Sequence, residues 1–380
     1  MKFLYIAPLP IDMDNVDGVP KKILAHVKVL SEKYDVSLLY YFNGQVWLYN
    51  EREKNSKPMC KGTSKLHVLR FATKHIKEQN AYRGVYIRYP KSDFIFISLL
   101  KALKKENIPV VIEIPTYPYD MEGKESLKGR LIAFMDCLYR KKLKKYVDRI
   151  VTFSGDEEIF GVKTIRTING IDFDLIPCYR EQIDVKKEIK LIAVSAMYRV
   201  HGFERLIEGL HDYYDNGGER NVRLELVGAG DECSKYKELT SKYGLETRVI
   251  FRGKVFGQDL NELYKGVAMG INSLAIHRQG LKTESTLKTR EYVAHGLPVL
   301  SSSYVDAFDD EGNAQYIMRI PPDETAVDVK ALIAFVESLY EDKETVGVRK
   351  DIRNKAYTIC DMRFTMQPII DFIEQKYSKQ

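Results

Sequence analysis

The sequence lacks the usual marks of metal-binding, disulfide-linked, exported or membrane-spanning proteins. Its five cysteines lie far apart and form no CxxC pair, so neither a zinc site nor a disulfide framework is indicated. No apolar run reaches the roughly 18 residues of a spanning helix. The first residues place acid and proline directly after a short apolar run, unlike a signal peptide. These absences predict a cytoplasmic protein.

A strong charge excess is also missing. The formal net charge is +6, from 59 Lys and Arg against 53 Asp and Glu. Nucleic-acid binders usually concentrate basic residues on one face, so a nucleic-acid partner is not predicted. The 380 residues, 44% of them hydrophobic, can fill two cores of ordinary domain size.

Short apolar runs alternate with amphipathic helical patterns, for example a helix over Phe94–Lys105 followed by a strand over Val110–Ile114. The alternation occurs in two successive series and indicates parallel sheets covered by helices. We therefore predict an α/β fold with two Rossmann-like domains, residues 1–180 and 181–362. A C-terminal helix within 363–380 is expected to pack back on the first domain.

The most informative segment, Gly280–Ser302, reads GLKTESTLKTREYVAHGLPVLSS. It predicts a helix with Ser285 as N-cap that ends at Gly296, before a Val-rich strand. The N–H groups of Ser285, Thr286 and Leu287 would then face an anion at the positive end of the helix dipole.

Two charged side chains of the same helix extend this prediction. Lys288 adds a positive charge one turn into the helix. Glu291, one further turn along, can accept hydrogen bonds from both hydroxyls of a ribose. Pyrophosphate at the helix end and ribose on a carboxylate together indicate a nucleoside diphosphate.

Several stretches, in chain order, resemble the family-4 glycosyltransferases of the GT-B fold. They are Asn169-Gly-Ile-Asp172, Val194-Ser-Ala-Met-Tyr-Arg-Val-His-Gly-Phe203, Val227-Gly-Ala-Gly230, Phe251-Arg-Gly253 and Glu291-Tyr-Val-Ala-His-Gly-Leu-Pro-Val299. The resemblance implies two domains facing across a cleft, with acceptor bound by the first and nucleotide sugar by the second. It also implies a retaining enzyme of bacterial polysaccharide type that needs no metal and no cofactor beyond its co-substrate.

The sequence departs from the family pattern at two places. The family has a second glutamate, a sugar contact, eight positions before the one that matches Glu291. That position is Thr283 here, so either the neighbouring Glu284 makes the sugar contact or the contact is missing. The family's arginine and lysine phosphate clamp corresponds to Ala196 and His201. We expect Arg199 or Lys288 to compensate.

Lys288, Glu291 and Arg199 are therefore the predicted catalytic residues. The predicted donor-binding set adds residues from the loop before the first helix of the second domain and from the Gly280–Ser302 segment: His201, Gly202, Glu284, Ser285, Thr286 and Leu287.

Other motifs favour simpler interpretations. Gly228-Ala-Gly230 predicts a tight strand–helix turn, since Cys233 stands where a dinucleotide fingerprint needs its third glycine. Asp12-Met-Asp14 and Asp172-Phe-Asp174 have the DxD spacing of metal-dependent transferases. Neither follows a strand as a metal carboxylate pair requires, so no metal site is predicted.

Acceptor-side residues are expected at the carboxyl ends of strands in the first domain, where open α/β sheets bind ligands. Gly18 and Val19 follow the first strand and open a helix. Glu113, Tyr117 and Asp120 lie at and beyond the end of a buried strand.

The segment 128–149 is rich in lysine and arginine, notably Arg140–Lys145. A regularly spaced apolar stripe precedes that cluster and is expected to face the core: Leu131, Phe134, Met135, Leu138 and Tyr139. The basic cluster predicts peripheral contact with anionic lipid at the inner face of the cell membrane, which would suit a lipid-linked acceptor.

The sequence thus predicts transfer of a sugar from a nucleoside-diphosphate sugar to a saccharide or lipid-linked saccharide, in surface or exopolysaccharide synthesis. A GT-B-fold nucleotide-sugar isomerase and a non-catalytic nucleotide-sugar-binding subunit remain alternatives. A Rossmann dehydrogenase is a weaker one.

Overall fold

The computed structural model describes residues 1–14, 16, 18–79, 82–119, 126–179, 181–306, 308, 313–340 and 344–377. The chain divides into two compact units, one of Met1–Ile168 with Met362–Gln380 and one of Asn169–Asp361. This division lies before the predicted boundary at 180/181, because the intervening residues bond within the second unit. Asn169 Nδ2, for example, donates to the Ser285 carbonyl at 2.7 Å.

The first unit is built on one sheet with the strand order β4-β3-β2-β1-β5-β6-β7-β9-β8. The strands from β2 to β9 in this order run parallel, and β3, β4 and β8 are antiparallel additions at the edges. The elements are β1 (Lys2–Pro10), α1 (Gly18–Ser31), β2 (Asp35–Phe42), β3 (Gln45–Asn50), β4 (Asn55–Lys61), α2 (Lys65–Gln79), β5 (Tyr82–Arg88), α3 (Phe94–Lys105), β6 (Val110–Ile114), α4 (Leu127–Arg140), β7 (Arg149–Thr152), β8 (Glu158–Ile159) and β9 (Val162–Arg166).

The second unit has a fully parallel sheet in the order β12-β11-β10-β13-β15-β17, and a small parallel pair of β14 and β16. Its elements are β10 (Ile189–Val194), α5 (Glu204–Asp215), β11 (Val222–Val227), α6 (Cys233–Lys242), β12 (Val249–Gly253), α7 (Gly257–Leu263), β13 (Val267–Ile271), β14 (Thr283–Glu284), α8 (Leu287–Ala294), β15 (Val299–Ser301), β16 (Tyr304–Val305), β17 (Ile317–Arg319), α9 (Val329–Tyr340) and α10 (Thr345–Cys360).

The last helix, α11 (Met362–Tyr377), belongs to the first unit. Its Met366, Ile369 and Ile373 join a core cluster that includes Ile23 and Val27 of α1. Burial of these apolar side chains holds the end of the chain against the first sheet.

Central strands in both units are buried along their whole length. All five residues of β6 (VVIEI) and of β13 (VAMGI) are buried, as expected for parallel strands covered on both faces. The loops at their carboxyl ends therefore start from rigid positions, and the candidate site is built from such loops.

The prediction that the apolar stripe of α4 faces the core is wrong for three of its five residues. Leu131, Phe134 and Leu138 are 63%, 65% and 56% exposed. The helix instead faces the protein with Asp136, which is 1% exposed. Among the described residues, no helix combines the length and apolar character that a membrane crossing requires.

Candidate functional site

The predicted anion-binding helix end is the N-terminus of α8. Its N-cap is Thr286, with φ −86° and ψ 144°, and no side chain caps it within the described structure. The expected Ser285 cap is wrong, because the Ser285 carbonyl and hydroxyl accept hydrogen bonds from Asn169 Nδ2 at 2.7 and 3.3 Å. Among the described residues, the first N–H groups of α8 receive no cap from the N-cap side chain, and an anion can supply the missing acceptor.

A buried arginine, which the sequence analysis did not identify, shapes this helix end. Arg290 is 0% exposed. Its guanidinium donates to the carbonyls of Asn169 at 2.9 Å and Thr286 at 3.1 Å, and it pairs with Asp306. Arg290 therefore fixes the α8 start against the Asn169 turn.

Lys288, in the first turn of α8, reaches the carboxyl end of β13. Its Nζ donates to Ser273 Oγ at 2.7 Å. Desolvation lowers the pKa of Lys288 to about 8, and the Glu284 carboxylate partly opposes that shift. The ammonium is thus held beside the helix end but is weakly hydrated, so an anion there is strongly attracted.

Glu284 is a buried carboxylate that organises loops. It is 5% exposed, and its Oε2 accepts hydrogen bonds of 2.7 Å from both Asn272 Nδ2 and Ser303 Oγ. Thr283, at the position expected for the family's first glutamate, is exposed. A direct donor contact of Glu284 does not fit this burial, and the residue instead ties the ends of β13 and β15 together.

His201 lies in a 3-10 turn, Arg199–His201, after β10. Its Nδ1 accepts from the Tyr198 N–H at 2.8 Å, so the neutral ring carries its proton on Nε2. Burial, and secondarily the Lys288 charge, lower the pKa of His201 to about 3. His201 is therefore a neutral hydrogen-bond donor near Lys288, whereas Arg199 is exposed on the same turn.

Gly202, the next residue, must be glycine for two reasons. Its φ is +59°, and an added Cβ would lie 2.5 Å from Ala275 Cβ. The backbone on either side is fixed as well, since the Leu274 N–H donates to the His201 carbonyl at 2.8 Å. The loops after β10 and β13 are thereby locked together.

The Gly228-Ala-Gly230 turn packs against the loop after β10. A Cβ at Gly228 would stand 1.8 Å from the Ser195 carbonyl oxygen, and one at Gly230 would stand 1.7 Å from that of Ala196. These glycines allow two backbones to approach closely at the carboxyl edge of the sheet. The geometry fits the predicted tight turn.

Glu291 follows Lys288 by three residues, so the two side chains lie on the same face of α8. Glu291 is half-buried. The pKa of Tyr264 is raised well above its ordinary value, first by the burial of Tyr264 and next by the negative charge of Glu291. The adjacent Tyr292 hydroxyl accepts from the Val194 N–H at 2.9 Å and donates to the Ile271 carbonyl at 3.1 Å, which anchors α8 to the ends of β10 and β13.

In the first unit, Glu113 differs from its predicted role. It is 0% exposed, and its carboxylate receives Lys22 Nζ and the Tyr86 hydroxyl, each at 2.9 Å, as well as Arg88. Burial alone would raise its pKa, but the cations Lys22 and Arg88 hold the pKa well below the usual range. Glu113 is thus closed to an acceptor and instead positions Lys22 and Arg88.

The other acceptor-side residues have varied surroundings. Gly18 starts α1 with φ +56°, and Val19 beside it is 40% exposed. Tyr117 is half-buried with its ring edge-on to Phe160, 5.7 Å between centroids. Asp120 lies outside the described residues.

Both DxD motifs form local turns. The Asp14 N–H donates to Asp12 Oδ1, and the Asp174 N–H to Asp172 Oδ1, each at 3.1 Å. Such Asx turns use the first carboxylate of each motif within the backbone. Among the described residues, no three His, Cys, Asp or Glu side chains are grouped as metal ligands would be.

Sequence reasoning missed Asn272, Ser273 and Ser303, although a signal was present. Asn272 and Ser273 follow the fully buried strand β13 directly. A polar pair at the carboxyl end of a central parallel strand indicates a site. Here Ser273 holds Lys288, and Asn272 holds Glu284.

Two Rossmann-like units, with the site elements gathered at the carboxyl edge of the second sheet, define the GT-B glycosyltransferase fold. Residues 188–342, which lie within the second unit, match the family model described as Glycosyl transferases group 1. The fold class predicted from sequence is confirmed.

Several known proteins are similar to this chain. Protein CapJ of Staphylococcus aureus is 22% identical over 301 residues, covering 73% of this chain and 71% of CapJ. The sucrose-phosphate synthase tll1590 of Thermosynechococcus elongatus superposes with a TM-score of 0.65 at 13% identity, over 100% of both chains. HepE of Anabaena, solved with UDP, gives a TM-score of 0.60 at 16% identity, over 100% of this chain and 99% of HepE.

Proposed function

We propose that the protein transfers a sugar from a nucleoside-diphosphate sugar to a hydroxyl of a saccharide or lipid-linked saccharide acceptor. The reaction retains the anomeric configuration and needs no metal, and it serves surface or exopolysaccharide synthesis at the cytoplasmic face of the membrane. Because HepE was solved with UDP and with UDP-glucose, a uridine donor is the first to test.

One observation carries the proposal: in the described part of the chain the N-terminus of α8 has no side-chain cap, and its first turn carries the Lys288 ammonium. The first N–H groups of α8 and this cation can neutralise a diphosphate. Most of the catalytic work is stabilisation of that leaving group as its bond to the sugar breaks.

Other residues of the second unit would orient the donor. Glu291, in the second turn of α8, accepts hydrogen bonds from the ribose hydroxyls. The neutral His201 donates a hydrogen bond through Nε2, and the exposed Arg199 closes on the diphosphate from the same turn. Glu284 acts without touching the donor, by holding Asn272 and Ser303 in place through hydrogen bonds.

A second candidate is a subunit that binds a nucleotide sugar without transferring it. The buried state of Glu284 favours this candidate, because no glutamate then stands ready to orient the sugar from that position. Turnover separates the two functions directly, since only a transferase converts donor in an acceptor-dependent way.

The experiment measures nucleoside diphosphate released from a panel of donors, with and without a pool of saccharide and lipid-linked acceptors. The proposal expects release from one donor that depends on acceptor and is lost in Lys288→Met. Product NMR then shows whether the new linkage retains the donor's anomeric configuration. A change of the donor's sugar without acceptor and without net release of nucleoside diphosphate, seen by NMR, would indicate an isomerase. Tight binding without conversion would indicate a binding subunit.

A further inference from the structure

Helix α4 presents its apolar residues to solvent. Leu127, Leu131, Phe134 and Leu138 are 84%, 63%, 65% and 56% exposed. They recur at intervals of four, three and four positions and so share one helix face. A helix in water normally buries such a stripe, so this face is suited to an apolar environment.

The opposite face of α4 is attached to the first unit by the carboxylate of Asp136. Asp136 is 1% exposed and accepts hydrogen bonds from the Ser92 N–H at 2.5 Å, the Tyr89 hydroxyl at 2.6 Å and the Tyr119 hydroxyl at 2.7 Å. Rotating the helix to bury the stripe would break all three bonds and move the carboxylate away from its donors. The outward direction of the stripe is therefore enforced by the fold.

Within α4 and directly after it, the exposed charges have one sign. Asp136 is the only acidic residue between Leu127 and Lys145, and it faces inward. Exposed lysines lie within and directly after the helix: Lys128, Lys141, Lys142, Lys144 and Lys145. Two copies of the chain meeting through this face would bring like charges together, whereas an anionic lipid surface offers hydrocarbon for the stripe and negative charge for the lysines.

We propose that α4 docks the protein on membranes that contain anionic lipids, with the stripe Leu127, Leu131, Phe134 and Leu138 inserted between headgroups and acyl chains. This deepens the membrane location given under the proposed function, on which its biological use rests. The sequence analysis predicted lipid contact through the basic cluster, and the proposal adds insertion of the apolar stripe into the membrane. Vesicle binding needs neither donor nor acceptor, so the docking and the glycosyl transfer can fail independently.

The test is sedimentation of the full chain with phosphatidylcholine vesicles, with and without phosphatidylglycerol. We expect binding to the mixed vesicles that weakens with salt yet persists in part at about 0.5 M NaCl, because insertion is not screened. Leu131→Ser with Phe134→Ser should lower the partition coefficient at least about tenfold. The matched control, Leu175→Ser with Phe256→Ser, removes side chains that are 60% and 55% exposed in the second unit and should leave partitioning unchanged.

Cooperative thermal unfolding without ligand is measured on every preparation, which shows that each variant is folded. If the first pair fails to fold, Leu127→Ser with Leu138→Ser replaces it. The proposal is overturned if the wild type does not sediment with mixed vesicles, or if the α4 variant binds them as well as the wild type. It is also overturned if the wild type self-associates without lipid and the α4 variant abolishes that association, since the stripe would then be a contact between copies.

Discussion

Lys288 Nζ lies 2.7 Å from Ser273 Oγ, a contact that links the first turn of α8 to the carboxyl end of β13. The serine orients the ammonium, and desolvation lowers its pKa to about 8. A cation whose charge is lost just above neutral pH gives the candidate donor site a measurable pH dependence.

UDP affinity should therefore fall as the pH rises from about 7.5 to about 9.5, well above the phosphate pKa near 6. The protonated lysine attracts the diphosphate and the neutral amine does not, so the dissociation constant should rise by up to about tenfold per pH unit above 8. Lys288→Arg should bind without this dependence, and Lys288→Met should bind about tenfold or more weakly at pH 7.5. Isothermal titration calorimetry across this pH range measures the dissociation constant. If the UDP affinity of wild type depended on pH as little as that of Lys288→Arg, the assignment of Lys288 to the diphosphate would be contradicted.

Replacing Gly230 should distort the loop after β10 and weaken UDP binding. In Gly230→Ala the new Cβ would stand 1.7 Å from the Ala196 carbonyl oxygen, so one of the two backbones must shift. We expect a loss of about 1–3 kcal/mol in the free energy of unfolding, measured by denaturant titration.

Gly155→Ala is the matched control for Gly230→Ala, since a Cβ there meets nothing within 4 Å. Its stability should stay within about 0.5 kcal/mol of wild type. Equal effects of the two substitutions would show that close backbone approach at Gly230 is unimportant.

The ion cluster of the first unit should make Glu113 a strong determinant of stability. Glu113→Gln leaves the Lys22 and Arg88 cations without their shared carboxylate, at a cost of about 3–5 kcal/mol. Tyr86→Phe, which removes one hydrogen bond to the same carboxylate, should cost less, about 1.5–2 kcal/mol. Similar losses in the two variants, measured by denaturant titration, would contradict an ionic role.

The same carboxylate gives a pH dependence of known sign. Its folded-state pKa lies below the ordinary 4.5, so its stabilisation is complete above pH 4.5 and is lost as the pH falls further. Wild type should lose stability over this acid range more steeply than Glu113→Gln. Parallel losses in the two proteins would count against the depressed pKa.

The apolar pattern alone was enough to predict the central elements. The helix α3 (Phe94–Lys105) and the strand β6 (Val110–Ile114) have the predicted bounds, because apolar runs bounded by polar residues leave little ambiguity. The strand β4 was not predicted, since its sequence NSKPMCK is polar and almost wholly exposed. Its pairing with β3 is a long-range property that local periodicity does not encode.

The candidate site was predicted in outline but not in its contacts. Lys288 and the α8 start follow from capping and dipole arguments. The burial of Glu284 depends on Asn272 and Ser303, which come from separate strand ends that only the fold brings together. The outward face of α4 was missed for a similar reason, because helical spacing defines a stripe but does not say which way it points.

The most direct test of the central claim is the UDP-induced melting shift of wild type compared with Glu291→Ala. A ligand at 100 times its dissociation constant stabilises by about 2.7 kcal/mol, so wild type should melt several degrees higher with saturating UDP. Glu291→Ala should lose most of this shift at the same concentration, and Glu238→Ala, which removes an exposed glutamate of α6, should keep it. An undiminished shift in Glu291→Ala, or none in wild type with any nucleoside diphosphate, would contradict nucleotide binding at α8.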